Sequence, residues 1–179
     1  FALLVYASSW IKNHHPDVFL ASLLNSQPLG FYATSQLIRD AKNHGVEVLP
    51  VSIQNSSVET TLEFEKKSTL KSNNLFPVRI GLNQIAKLSK KSMFKIMKER
   101  KRGIYKSIID LASRVQLAQH ELKILANCGA LDSLSKNRYS ASWEAIGYQR
   151  FSGLLNKSCL MEPKIKVNVL PKPSEVELL

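Results

Sequence analysis

Between Phe1 and about Asn13 the apolar residues Leu3, Leu4, Val5, Tyr6, Trp10 and Ile11 fall on nearly every side of a helix. That pattern predicts a helix buried in a core, with Tyr6 and Trp10 packed inside it. The helix ends ahead of Pro16, because the residue preceding a proline is pushed out of the α region. Pro16 suits the first turn of a second helix, Pro16 to Leu24, with Val18, Phe19, Leu23 and Leu24 at apolar spacing. A turn-rich break from Asn25 to Gly30 follows. Thr34 or Ser35 is the expected cap of a third helix, which turns Leu37, Ile38 and Ala41 inward and stops at Gly45, a residue suited to positive φ.

After Gly45 the period changes from helical to extended. Val46, Val48, Val51 and Ile53 read as a short strand, and Pro50 confines it to an edge. Thr60 to Phe64 and Val78 to Ile80 are two further strand candidates that form a small hairpin, joined by a polar surface loop, Glu65 to Asn74. Later, Ser107 and Asp110 have capping-box spacing and open a helix from Ile108 to Ser113. Another helix runs from about Ala118 to Asn127, with Leu122, Ile124 and Leu125 inward and Gly129 closing it, and Asn137 caps a last one through Trp143 to Ile146. From Gly147 periodicity fails, and the remainder reads as a linker or wrapping tail.

The segment Ile80 to Arg102 carries the strongest asymmetry. With Lys91 as origin on a helical wheel, Lys95, Lys98 and Arg102 lie within about 40° of it, while Met93, Ile96 and Met97 cluster on the opposite side. Between Lys87 and Lys106 there are nine bases and the single acid Glu99, a local excess of eight positive charges in a chain whose net charge is +11. Such a ridge favours a polyanionic partner. Two successive helix-turn-helix units, Leu82 to Arg102 and Ile108 to Leu125, resemble a tandem pair.

The composition, 44% hydrophobic and 22% charged over 179 residues, is that of a soluble globular protein rather than a disordered tail. The apolar run at the start stops at Ala7, too short to span a membrane, and lacks the basic flank of a signal sequence. With no cap and no initiator Met before it, the first helix is expected to begin inside an element of a longer protein. Cys128 and Cys159 have neither CxxC spacing nor paired histidines nearby, which points to reduced thiols and the cytoplasm. His14 and His15 have no third ligand at suitable spacing, and Asp17, Asp40 and Asp110 are dispersed. No catalytic or metal-binding constellation emerges, and no P-loop, GxSxG or HExxH spacing is present.

The stretch LLNSQPLGFYATSQLIRDAKNHGVEVLPVSI, Leu23 to Ile53, resembles the bacterial C-family DNA polymerases, and their error-prone branch more than the replicative polymerase III alpha subunit. FALLVYASSW at the start, VRIGL at Val78 to Leu82, GALDSL at Gly129 to Leu134 and RYSASWEA at Arg138 to Ala145 continue the likeness in order along nearly the whole chain. The resemblance implies a mainly α fold: a helical remnant of the polymerase fingers with a small β-hairpin over residues 1–77, a tandem helix-hairpin-helix module over 78–146, and an irregular tail over 147–179. It implies primer-template or duplex DNA as partner, together with the remaining polymerase domains and accessory mutagenesis proteins, in damage-induced translesion synthesis. The two-metal palm site, which uses Mg, would lie outside these residues, leaving this piece without cofactor and catalytically silent.

The family's hairpin usually carries Gly-x-Gly, which lets backbone N–H groups approach a phosphate closely. The matching residues here are Lys87, Leu88 and Ser89, so lysine stands where close backbone approach is expected. The expected DNA-binding set is Lys87, Ser89, Lys90, Lys91, Lys95, Lys98 and Arg102. The competing reading is an accessory-protein scaffold within such a polymerase, in which the tail and the apolar helix faces dock partners and the basic ridge is incidental.

Overall fold

The computed structural model describes residues 1–30, 32–64, 75–135 and 137–147. The expected surface loop from Glu65 to Asn74 and the tail beyond Gly147 lie outside the described residues. The fold is mainly helical with a small three-stranded sheet. It divides into two compact units, one of residues 1–51 and 55–86, the other of 52–54 and the chain from Lys87 onward.

The first unit opens with α1 (Ala2–His14), α2 (Pro16–Asn25) and α3 (Thr34–Asn43). Pro16 occupies the first turn of α2, as its fixed φ and missing N–H favour. Helix α3 is capped one residue before Thr34 and two before Ser35, the expected caps. Ala33 takes the N-cap place, and its N–H donates to the Gln36 side-chain oxygen at 3.4 Å, the half of a capping box that needs no hydroxyl at the cap. At its other end Gly45 has φ +82°, and the N–H of Val46 returns to the Ala41 carbonyl at 3.0 Å, closing the helix with a left-handed residue as expected.

The expectation of a buried first helix is overturned. None of the α1 residues is buried, and Leu3 is 78% exposed and Tyr6 69%. Trp10 is exposed as well, its ring lying 4.5 Å from that of His14. Helix α1 packs against α2, and one neighbouring helix cannot cover a surface that is apolar all round. The core of this unit instead comprises Leu20, Leu24, Ala41, Val46 and Val78, from α2, α3 and the sheet.

Strands β1 (Val48–Leu49), β2 (Thr61–Leu62) and β3 (Val78–Arg79) order as β1-β3-β2. β2 and β3 pair antiparallel, which is the expected hairpin, while β1 adds parallel to β3 at the edge, just before Pro50. Arg79, buried on β3, donates to Glu63 at 2.6 Å and to the Pro50 carbonyl at 3.0 Å, so its charge is both paired and hydrogen-bonded. Gly81 follows, where a Cβ would sit 2.4 Å from the Glu59 backbone carbon. Only glycine lets the chain pass so close.

The second unit contains α4 (Lys90–Arg100), α5 (Ile108–Val115), α6 (Gln119–Asn127) and α7 (Arg138–Gly147). Ile96, Ile108, Leu111, Leu122, Leu125 and Leu131 are fully buried in its core. Ser107 caps α5, its Oγ accepting the Asp110 N–H at 3.1 Å, and Asn137 caps α7 through the Ser140 N–H at 2.8 Å. Both caps were legible in the sequence. The segment 52–54 is bound into this unit. The Ile53 N–H donates to the Ala130 carbonyl at 2.9 Å, and the Gln54 amide pairs with both the N–H and the carbonyl of Tyr105, at 3.2 and 2.6 Å.

Candidate nucleic-acid interface

Two turns in this region share one backbone design. In the first, Lys87 has φ +64°, Leu88 is buried, and Ser89 adopts φ −74°, ψ 142° as N-cap of α4. In the second, Gln116 has φ +58°, Leu117 is buried, and Ala118 adopts φ −75°, ψ 152° as N-cap of α6. Shifting the sequence by 29 positions carries the first set onto the second, and also carries Leu82 onto Leu111, Met93 onto Leu122 and Ile96 onto Leu125, all of them buried. The repeat is therefore present in the backbone of the two turns and in the spacing of buried residues. Its first arm is abbreviated, however: a single 3-10 turn, Leu82–Gln84, stands where the second repeat has the helix α5.

The left-handed residue is what the motif needs at the turn, since it lets the chain reverse into the next helix with the first N–H groups facing outward. Glycine meets that need without strain. Lys87 and Gln116 adopt the conformation regardless, at a cost of roughly 1 kcal/mol each. Lysine and glutamine thus reach the same left-handed turn.

Lys87, Ser89, Lys90 and Lys91 are exposed at the first turn, and Lys95 and Lys98 further along α4, while Met93 and Ile96 on the opposite side of the helix are buried. Ser89 Oγ accepts the Ser92 N–H at 3.1 Å. Arg102 is exposed too, but it lies beyond the end of α4, and its guanidinium donates to both carboxylate oxygens of Glu99 at 2.9 and 3.0 Å. Of the expected set it is the member whose charge is matched by a neighbour. Arg100, by contrast, turns inward and donates to the Ile53 carbonyl at 3.1 Å.

Glu121 ties the two turns together. This buried carboxylate accepts the Ser92 hydroxyl at 2.6 Å and the Ala118 N–H at 3.3 Å. Burial alone would raise its pKa. The hydrogen bonds from Ser92, Ala118 and Ser89 outweigh that and hold it below the ordinary glutamate value. The loop between α4 and α5 is held by Arg114, which donates to the carbonyls of Glu99 and Gly103 and lies 4.7 Å over the Tyr105 ring. The buried Tyr105 hydroxyl donates to the Ile96 carbonyl at 2.6 Å, fixing the loop to α4.

Glu121, Arg114 and Gln54 escaped the sequence reading because each acts on residues far away in the chain. The 29-residue shift was the available signal for Gln116. Elsewhere, in the first unit, a cavity of about 650 Å³ is lined by Phe19, Leu20, Leu23, Leu29 and Leu37, with a Lys12–Asp40 ion pair of 2.8 Å at its edge. Its charged groups neutralise each other. The Lys12 hydrogen bond keeps the Asp40 carboxyl below the usual range. Among the described residues no group of three His, Cys, Asp or Glu side chains is placed to hold a metal ion, and no helix is long and apolar enough to cross a membrane.

The family model described as the helix-hairpin-helix motif matches residues 45–141, more than half of the chain. The chain belongs to the helix-hairpin-helix motif family. It is also similar to proteins named error-prone DNA polymerase: 39% identical to that of Methylococcus capsulatus over 99% of this chain and 18% of the relative, and 41% identical to that of Bordetella parapertussis over 98% and 16%. Error-prone DNA polymerase 1 of Agrobacterium fabrum is 44% identical over 80% of this chain and 13% of the relative. The chain thus spans less than a fifth of the length of these relatives.

Proposed function

We propose that this chain is the DNA-contacting, non-catalytic segment of an error-prone DNA polymerase, with residues 78–146 as the contacting module. The observation that carries the reading is the first turn. A left-handed residue leads into the N-terminus of α4, Lys87, Lys90 and Lys91 are exposed beside it, and Lys95 and Lys98 are exposed further along the helix. A helix N-terminus and a field of cations suit a sugar-phosphate backbone, and neither reads base identity. The parent protein would extend a primer by attack of its 3′-hydroxyl on the α-phosphate of an incoming nucleotide, in the cytoplasm, during damage-induced translesion synthesis. The Mg-binding carboxylates for that step would belong to other parts of the parent.

The test is fluorescence anisotropy with labelled 20-base-pair duplexes of unrelated sequence. The reading expects micromolar or weaker binding at physiological salt, equal across sequences within about twofold. Absence of binding even at low salt, or strong preference for one sequence, would overturn it.

A second reading has its own support in α1, whose apolar residues are exposed. In that reading α1 seats against the remaining polymerase domains or an accessory mutagenesis protein. The two readings concern different surfaces.

A further inference from the structure

The exposed face of α4 carries an aromatic ring among its cations. Phe94 is 61% exposed. Lys91 and Lys98 lie three residues before and four after it, and Lys90 four before, so all three are its neighbours on the helix surface, with Lys95 adjacent in sequence. All four lysines are exposed, and none of them is in an ion pair among the described residues. A single exposed aromatic is ordinary on a protein surface. A ring surrounded by unpaired like charges is a more selective surface. A protein docking on Phe94 would have to bring a carboxylate to each of those ammonium groups or leave it desolvated and unpaired. A base in a duplex has both faces stacked on its neighbours and offers none to the ring. An unpaired base offers its π-face, and its own strand brings phosphates to the lysines on either side.

The geometry points to Phe94 as a stacking platform for an unpaired base, so that the α4 face takes single-stranded DNA in addition to duplex. This rests on the DNA-contacting reading above and adds the strand type to it. The first hairpin turn supplies the duplex contact, and the mid-helix ring supplies a place for a strand that has lost, or has not yet found, its complement.

The experiment compares the full 179-residue chain with its Phe94→Leu and Phe94→Trp variants, using labelled oligo-dT of 16 nucleotides and a blunt duplex as probes. Circular dichroism first checks that helix content is unchanged. Phe94→Leu is expected to weaken oligo-dT binding by about tenfold and to leave duplex binding within about twofold. Phe94→Trp is expected to retain oligo-dT binding, with added tryptophan emission, relative to wild type, that the oligonucleotide quenches. If Phe94→Leu binds oligo-dT as wild type does, or loses both probes equally, the stacking role is wrong while the DNA reading stands. If wild type binds neither probe, the DNA reading itself has failed.

Discussion

The two hairpin turns share a backbone and differ in almost everything attached to it. Lys87-Leu88-Ser89 and Gln116-Leu117-Ala118 run through the same left-handed, buried and extended positions, and each delivers the chain into a helix. Around the first the side chains are cationic and exposed. Glu121, in the first turn of the second helix, bonds to both turns, accepting the Ala118 N–H and the Ser92 hydroxyl, so it does not set them apart. The backbone is common to both turns, and under the proposed function the exposed lysines make the first the one that meets phosphate.

The sharpest way to break the comparison is Glu121→Ala. Removing the carboxylate leaves the Ser92 hydroxyl and the Ala118 N–H without their buried acceptor, which should cost about 2–3 kcal/mol in urea unfolding. Because the folded pKa of Glu121 is depressed, its contribution is present above the unfolded value of 4.5 and is lost as pH falls through the folded one. A wild-type stability profile as flat between about pH 5 and the acid limit as that of Glu121→Gln would show that the carboxylate does not join the turns.

A smaller effect distinguishes the two caps. Ser89→Ala removes the side-chain acceptor of the Ser92 N–H and should cost about 1 kcal/mol, whereas Ala118→Ser adds an acceptor at the equivalent place and should gain a few tenths. Equal losses from both substitutions would mean that the turns are not equivalent.

The smallest effect tests the strained residues. Lys87→Gly and Gln116→Gly should each stabilise the fold by roughly 0.5–1 kcal/mol, relief of the left-handed strain exceeding the added freedom of the unfolded chain. Only Lys87→Gly should also weaken DNA binding. Destabilisation by either would show that these side chains make interactions worth more than the strain.

What could be read from sequence follows from range. The Ser107 and Asn137 caps and the left-handed Gly45 depend on residues within one turn and appeared where expected. The basic face of α4 was legible because one helix period suffices to define it. The Ala33 start of α3 was missed because Gln36, rather than the better cap formers beside it, supplies the acceptor. The exposure of α1 was missed for a different reason: periodicity tells which residues want burial, and says nothing about whether a neighbour stands opposite them. The Ser92–Glu121 bond joins residues 29 apart and Gln54–Tyr105 residues 51 apart, and no local pattern marks such partners.

The claim that the first turn and its ridge hold the DNA backbone is tested most directly by salt titration of duplex affinity. Wild type is compared with a variant neutralised at Lys87, Lys90, Lys91 and Lys95, and with one neutralised at Lys123 on α6. The account predicts that the first variant lowers the magnitude of the slope of log K against log salt by about 0.9 for each phosphate no longer neutralised, and that Lys123→Gln leaves it unchanged. A wild-type slope in the fourfold variant, or an equal drop from Lys123→Gln alone, would contradict it.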